Sequence, residues 1–286
     1  MTFNALLTAA LRFQRRHILG RTVAVAVGLV MVVATLELQG ALTRGVAQAP
    51  ADLGPATSVI VRSPAAFGIF GEAQRPGLPV ETIESVAGVA GVERAEGDDQ
   101  GTVGVVVDGN RSEAVLGTWF EDEGLRPAKV AFGEAPADVA VAVSTDLAER
   151  EGLSVGDPIQ LVGRVRIDAT VGGIVEPLAD GSGAPDIYAP LVTANAIVGR
   201  DGQVDRIVVS GGPTEDALAS AVFVSHPEQD TVTRTNFDKE RTDAERDRAY
   251  GTRRLFTLFA GVAVAVTALI VVSGTAAAVV RRTSEL

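Results

Sequence analysis

The stretch VAVSTDLAEREGLSVGDPIQLVG, residues 141–163, carries its own punctuation. Val139 to Val143 alternates Val with Ala and has no charge, which predicts a buried strand. Ser144 stands where an N-cap belongs, ahead of a short helix over Thr145 to Glu151. Gly152 ends that helix. Leu153 to Asp157 reads as a turn around Gly156-Asp157, and Pro158 to Val162 resumes as a strand. Downstream, ATVGGIVE (residues 169–176) lies in a strand over Val165 to Val175 that is kinked at Gly172-Gly173.

Outward from this stretch, short β-type runs alternate with short helical ones. Thr57 to Val61 reads as a strand, and Pro79 to Ala87 as a short helix with Pro at its start. Thr102 to Val107 and Glu113 to Leu116 flank Asp108-Gly109-Asn110, a hairpin signal. Ile187 to Leu191 and Arg206 to Val209 are further strands, and Thr214 to Val222 is a helix. The fold class is α+β, a mixed domain over residues 43–235. Residues 236–254 follow as a stalk, with a strongly charged helix over Asn236 to Tyr250 whose spacings allow i,i+3 and i,i+4 pairs.

The ends differ in kind. Mean hydropathy is positive, +0.25, although Asp and Glu outnumber Lys and Arg by 36 to 25. The apolar residues sit near both termini. Leu255 to Val280 carries no charge and is flanked by Arg253-Arg254 and Arg281-Arg282. At a rise of ~1.5 Å per residue it reaches ~39 Å, past the ~30 Å hydrocarbon core of a bilayer. Residues 255–280 are therefore expected to span a membrane. Residues 18–42 form the first expected span around Thr22 to Leu36, with Arg21 and Glu37 near the edges of its apolar run. A cleaved signal peptide is the competing reading, with Ala47-Gln48-Ala49 as its small-residue site; Glu37 interrupts early and that site lies far past the apolar run. Residues 1–17 pattern as a basic amphipathic helix, with Phe3, Leu6, Leu7, Ala10 and Leu11 on one face, suited to the lipid interface.

Arg12, Arg15, Arg16 and Arg21 precede the first span without an acid, so both termini are expected in the cytoplasm and residues 43–235 outside it. Residues outside 38–252 carry eight Arg against two Glu, which leaves −17 on the middle segment. A solvated acidic surface accounts for that charge; attraction for a cationic ligand or peptide is the sharper alternative. The second span has small residues at four-residue spacing: Gly261 with Ala265, Ser273 with Ala277, and Gly274 with Ala278. Such a face lets helix backbones approach in lipid, against another span in a homodimer or in a partner.

Chemistry is sparse. The chain has no Cys, which excludes disulfides and thiolate sites. No G-x-x-x-x-G-K-[ST] pattern occurs. His17 and His226 read as surface residues, and Gly181-Ser182-Gly183 is no nucleophile elbow. Gly97 to Gly101 is an acidic turn with too few oxygen ligands for calcium. No catalytic residue, metal site or cofactor is expected, and no nucleic-acid partner.

The order of these motifs resembles the extracytoplasmic domain of MacB/FtsX-type ABC transporter permeases. ETIESVAGVAGVERAEG (81–97) is similar to that family's helix leading to a strand, and DIYAPLVTANAIVG (186–199) to its later strand and helix. The resemblance implies two transmembrane helices flanking a mixed α/β domain of the MacB periplasmic-core type. It implies a permease subunit without enzyme activity, in the cell membrane, that passes ATP-driven motion from a cytoplasmic ABC ATPase to its outer domain. The alternative is a non-transporting anchor or sensor whose outer domain regulates a cell-envelope enzyme or binds an extracellular ligand. Permeases of that family usually have four spans, the second leading into a segment that begins R-R-x-x-E-[IL]. Residues 281–286 look like the start of that segment, so Arg281, Arg282 and Glu285 are implied to couple to the ATPase. A truncated chain or a half-permease would account for the stop.

Overall fold

A computed structural model describes residues 52–69, 72–179, 183–198, 202–244 and 246–247, together with 258, 261, 262, 265, 268, 269 and 272. The elements in chain order are β1 (Val59–Arg62), β2 (Phe67–Ile69), β3 (Glu72–Gln74), β4 (Leu78–Pro79), α1 (Thr82–Ala87), β5 (Val92–Asp98), β6 (Gln100–Val107), β7 (Asn110–Thr118), β8 (Ala128–Gly133), β9 (Ala140–Ser144), α2 (Thr145–Glu151), β10 (Pro158–Val162), β11 (Arg166–Pro177), β12 (Ile187–Ala189), α3 (Leu191–Val198), β13 (Gln203–Val204), β14 (Arg206–Gly211), α4 (Glu215–Ser225) and β15 (Asp230–Thr233). Residues 234–244 are helical, α5. The chain divides into two units, Met1–Ala47 with Arg246–Leu286, and Gln48–Glu245.

The second unit contains two β-layers. Strands β6, β7, β12, β9, β11 and β10 form a closed ring, because β10 pairs with both β6 and β11, and β8 adds to β11 outside it. Closure removes the exposed edges that an open sheet would leave. Alternate residues point inward: Val141, Val143 and Ile187 join Val105, Leu116, Leu161 and Val171 in the interior core. Ala142 and Tyr188 face the other way and pack with Trp119, Ala128 and Val175. The other layer is a four-stranded sheet ordered β15-β1-β14-β5, antiparallel throughout. Helices α1 and α4 supply Val86, Leu218 and Val222 to one face, and Leu53, Phe120, Leu125 and Phe237 cover the other. Both faces being covered, the central strands VIVR and RIVVSG read as unbroken apolar runs.

The opening stretch folds as its residues dictate. The Ser144 hydroxyl accepts from the Leu147 N–H at 3.2 Å, and Gly152 takes the left-handed conformation, φ 70°, ψ 32°. The Asp157 carboxylate closes the following turn by accepting from the Ser154 N–H at 2.8 Å. Strand β11 breaks register between Val171 and Gly173 against β9 and between Ile174 and Val175 against β8. A Cβ on Gly173 would lie 2.2 Å from the Glu134 carbonyl oxygen, so only Gly admits this approach. At the hairpin, the loop is the pair Asp108-Gly109, both at positive φ (50° and 82°), because Val107 pairs with Asn110.

Three expectations need correction. Pro79 belongs to β4, where it pairs with Gln203, and the helix begins at Thr82. The strand expected over Ile187 to Leu191 ends at Ala189, and Leu191 opens α3; β8 and β15 carry no clear alternation, since β8 mixes exposed and buried residues and β15 is four residues long. The charged helix starts at 234 rather than Asn236, since the Thr233 hydroxyl accepts from the Asn236 N–H at 3.2 Å as its cap. Residues 1–51, most of 255–280 and all of 281–286 lie outside the described residues, and with them both expected spans, the amphipathic segment, Ser273, Gly274, Ala277, Ala278, Arg281, Arg282 and Glu285. Among the described residues no helix is long and apolar enough to cross a membrane. Gly261 and Ala265 are helical and exposed.

Candidate functional site: an ionic hub joining the two chain connections

The ends of the central strands carry charge. Arg62 closes the apolar run of β1 and Arg206 opens that of β14. Register places Arg62 opposite both Arg206 and Asp230, and Arg206 opposite Asp98. One rim of the sheet therefore gathers two arginines and two acids from four strands. A buried charge is tolerable only when paired and hydrogen-bonded, and the partners come from the two segments by which the chain joins the domain.

Asp52, seven residues before β1, has its carboxylate fully buried. Arg206 donates to it at 2.8 Å and to Asp98 at 2.7–2.8 Å. Arg241 of α5 is the second partner of Asp52. Burial would push the Asp52 carboxyl up, but the Arg206 and Arg241 guanidiniums outweigh it and hold the group below its ordinary range. Asp98 shares Arg206 with Asp52, and burial outweighs that guanidinium and pushes the carboxyl up. Arg206 itself would be lowered by burial, and Asp98 and Asp52 together raise it.

Arg62 donates from Nε to Asp230 at 2.8 Å and from Nη2 to Glu240 of α5 at 2.6 Å. Arg75 adds a second bond to Asp230 at 2.8 Å. Phe237, on the first turn of α5, is buried among these cations, with its ring centroid 5.2 Å from the Arg206 guanidinium, 5.6 Å from that of Arg62 and 5.8 Å from that of Arg241. Each such contact contributes ~0.5–2 kcal/mol depending on desolvation. Arg234 completes the clamp: it donates to the Gly54 carbonyl at 3.1 Å and to Asp238 at 2.7 Å, and its N–H reaches the Ser58 carbonyl at 2.9 Å. The segment 52–58 and helix α5 are thus bonded to each other and to the sheet.

The hub continues toward the closed barrel. Asp99 follows Asp98 and is fully buried. Its carboxylate accepts from Asn195 of α3 at 2.8 Å and from the Asp205 N–H at 3.0 Å. Its N–H donates to the Thr118 hydroxyl at 3.0 Å. Burial pushes the Asp99 carboxyl up to about 6, against the bond from Asn195. A continuous path of hydrogen bonds thereby runs from α5 through Arg206 and Asp98-Asp99 to α3.

The hub brings together none of the residues expected from sequence. Phe237, a lone aromatic in a charged run, and arginines abutting fully apolar strands are the signals that point to it. His226 is a correction: it is buried, its Nε2 lies 2.8 Å from the Ser85 hydroxyl, and it ties α4 to α1. Gly97 to Gly101 joins the end of β5 to the start of β6, as an acidic turn would, with Gly97, Asp98 and Asp99 buried. Among the described residues no group of His, Asp and Glu could hold a metal ion.

The family described as MacB-like periplasmic core domain matches residues 21–223. The periplasmic region of MacB from Actinobacillus actinomycetemcomitans superposes with a TM-score of 0.49 at 14% identity, covering 65% of this chain and 92% of that one. The extracellular domain of the noncanonic ABC-type transporter YknZ from Gram-positive bacteria gives 0.45 at 14% identity, covering 62% and 99%. No curated protein matches the chain.

Proposed function

We propose that this chain, which belongs to the MacB-like periplasmic core domain family, is a membrane subunit of an ABC-type transporter that passes motion driven by a separate cytoplasmic ATPase into an extracytoplasmic domain. Residues 18–42 and 255–280 are its two spans, with both ends in the cytoplasm and Arg281, Arg282 and Glu285 directed at the ATPase. Gly261, Ala265, Ser273, Gly274, Ala277 and Ala278 form the face that meets a second copy or a second permease half. The observation that carries this reading is the clamp of Asp52 to Arg241 over Phe237. A domain that only had to be displayed at the surface would be served by flexible connections. Here the two connections are bonded to each other and to the central strands, so a displacement of either one loads the sheet.

The test is made on the full chain in its cell membrane. A thiol label on a Gly109→Cys variant should react from outside intact cells, the chain should co-purify with a P-loop ATPase, and Glu285→Ala should lower the ATPase rate of the complex without lowering membrane insertion. Labelling at Gly109 without any ATPase partner would replace this reading by that of an anchor or sensor for a cell-envelope enzyme. Protection of Gly109 would contradict both.

A further inference from the structure

The four-stranded sheet ends on β5, which has β14 on one side and, among the described residues, no strand on the other. Asp98 accepts at its carbonyl from the Asp205 N–H, so its bonding groups point toward β14. Bonding direction alternates along a strand. The N–H and C=O of Ala95 and Gly97 therefore point away from the sheet. They face a cleft of about 770 Å³ bounded by β5, residues 118–122, residues 136–138 and the start of α3. An unpaired strand edge of this kind is a template for another strand.

The two walls of the cleft differ in chemistry. On the side of the sheet that Gly97 faces, Ile83 and Leu191 supply an apolar wall. On the side that Glu96 faces, its carboxylate accepts from the N–H groups of Glu121 and Asp122 at 2.7 and 2.8 Å, which holds this acidic loop against the strand. Asp122 is met by Arg94 at 3.5 Å, while Glu121 and Asp138 are exposed at the cleft. One cation thus stands among four carboxylates. A strand added to β5 would present successive residues to the apolar wall and the acidic wall in turn.

We infer that this cleft is a docking site for an extended peptide segment of a partner protein, bound by strand addition to β5 and alternating apolar with cationic residues. Main-chain bonds to Ala95, half-buried at the cleft, supply affinity, and the two unlike walls supply register and selectivity. The inference is independent of the transporter reading, since it would hold equally for an anchor.

The probe is an eight-residue peptide alternating Lys and Val, labelled with fluorescein and titrated by anisotropy against the full chain in lipid nanodiscs. The same peptide with Glu in place of Lys should bind at least tenfold more weakly, and a fully N-methylated Lys-Val peptide, which cannot pair as a strand, should not bind. Ala95→Pro removes an amide that faces away from β14, where Pro is tolerated, and should weaken the Lys-Val peptide at least tenfold. Glu121→Lys with Asp138→Lys should weaken it at least fivefold. Equal binding of the N-methylated and unmodified peptides, or no binding of the Lys-Val peptide, would overturn the inference. Because the N-methylated peptide is tested on the unaltered chain, the result stands even where Ala95→Pro fails to fold.

Discussion

The closed barrel and the four-stranded sheet are stabilised by opposite means. The barrel has an apolar interior built from Val, Leu, Ile and Ala, and its ring of strands closes on itself. The sheet is open, and its rim carries a charge network whose members come from positions 52, 62, 98, 206, 230, 240 and 241. Removing a methylene from the barrel is felt locally, as a cavity. Removing one cation from the rim strands an acid whose other contacts lie on distant parts of the chain. The two layers therefore differ in where the chain's connections attach: the barrel core contains no ion pair of this network, and the sheet rim bonds both segment 52–58 and α5.

Arg206→Met should break this contrast most strongly. It leaves Asp98 buried without a cation, and such a loss costs about 3–5 kcal/mol. Amide exchange should rise in β1 and β14, with β6 and β7 keeping their protection. Leu161→Ala, at a fully buried barrel position, is the mirror case at about 2–5 kcal/mol, and there β6, β10 and β11 should lose protection first. Equal loss in both layers from either variant would mean that the two do not behave as separate units.

The two layers meet at Asp99, where pH sharpens the comparison. Its folded-state pKa, about 6, lies above the ordinary 3.8. The neutral acid is therefore favoured in the folded protein, and its contribution is fully present below about pH 4 and lost as pH rises through about 6. Asp52 has the opposite sign, its contribution being lost as pH falls below the ordinary carboxylate range. In urea melts at pH 5 and pH 7, the unaltered chain should gain stability relative to Asp99→Asn at the lower pH. A difference between the two proteins that does not change with pH would contradict the burial of this carboxyl.

The smallest effect belongs to the best-read element. Ser144→Ala should cost about 1 kcal/mol, confined to α2, and be seen as faster exchange at the Leu147 amide alone. That cap, Gly152, the Asp108-Gly109 hairpin and the break at Gly172-Gly173 were legible because each is a local event whose residues are neighbours in sequence. The hub was not, because its ion pairs join residues up to 189 positions apart and only strand register brings them together. Strand β8 was hidden for a related reason: AKVAFG is exposed at Lys129 and Phe132, and pairing to β11 rather than periodicity holds it in place. Pro79 reads as a helix start from its neighbours alone, and its pairing with Gln203 overrides that signal.

The most direct test of the hub asks whether α5 and the sheet layer move as one body. Spin labels on Lys239→Cys of α5 and Val224→Cys of α4, both exposed positions, report the distance between these helices in the full chain reconstituted with the ATPase proposed for it, by double electron–electron resonance. One narrow distribution that ATP turnover does not shift is expected in the unaltered chain, and a broadened, ATP-sensitive distribution in the Phe237→Ala/Arg241→Gln double variant, with the proposed ATPase uncoupled from residues 43–235. A distribution in the unaltered chain that already shifts with ATP, or one unaffected by the double variant, would contradict it.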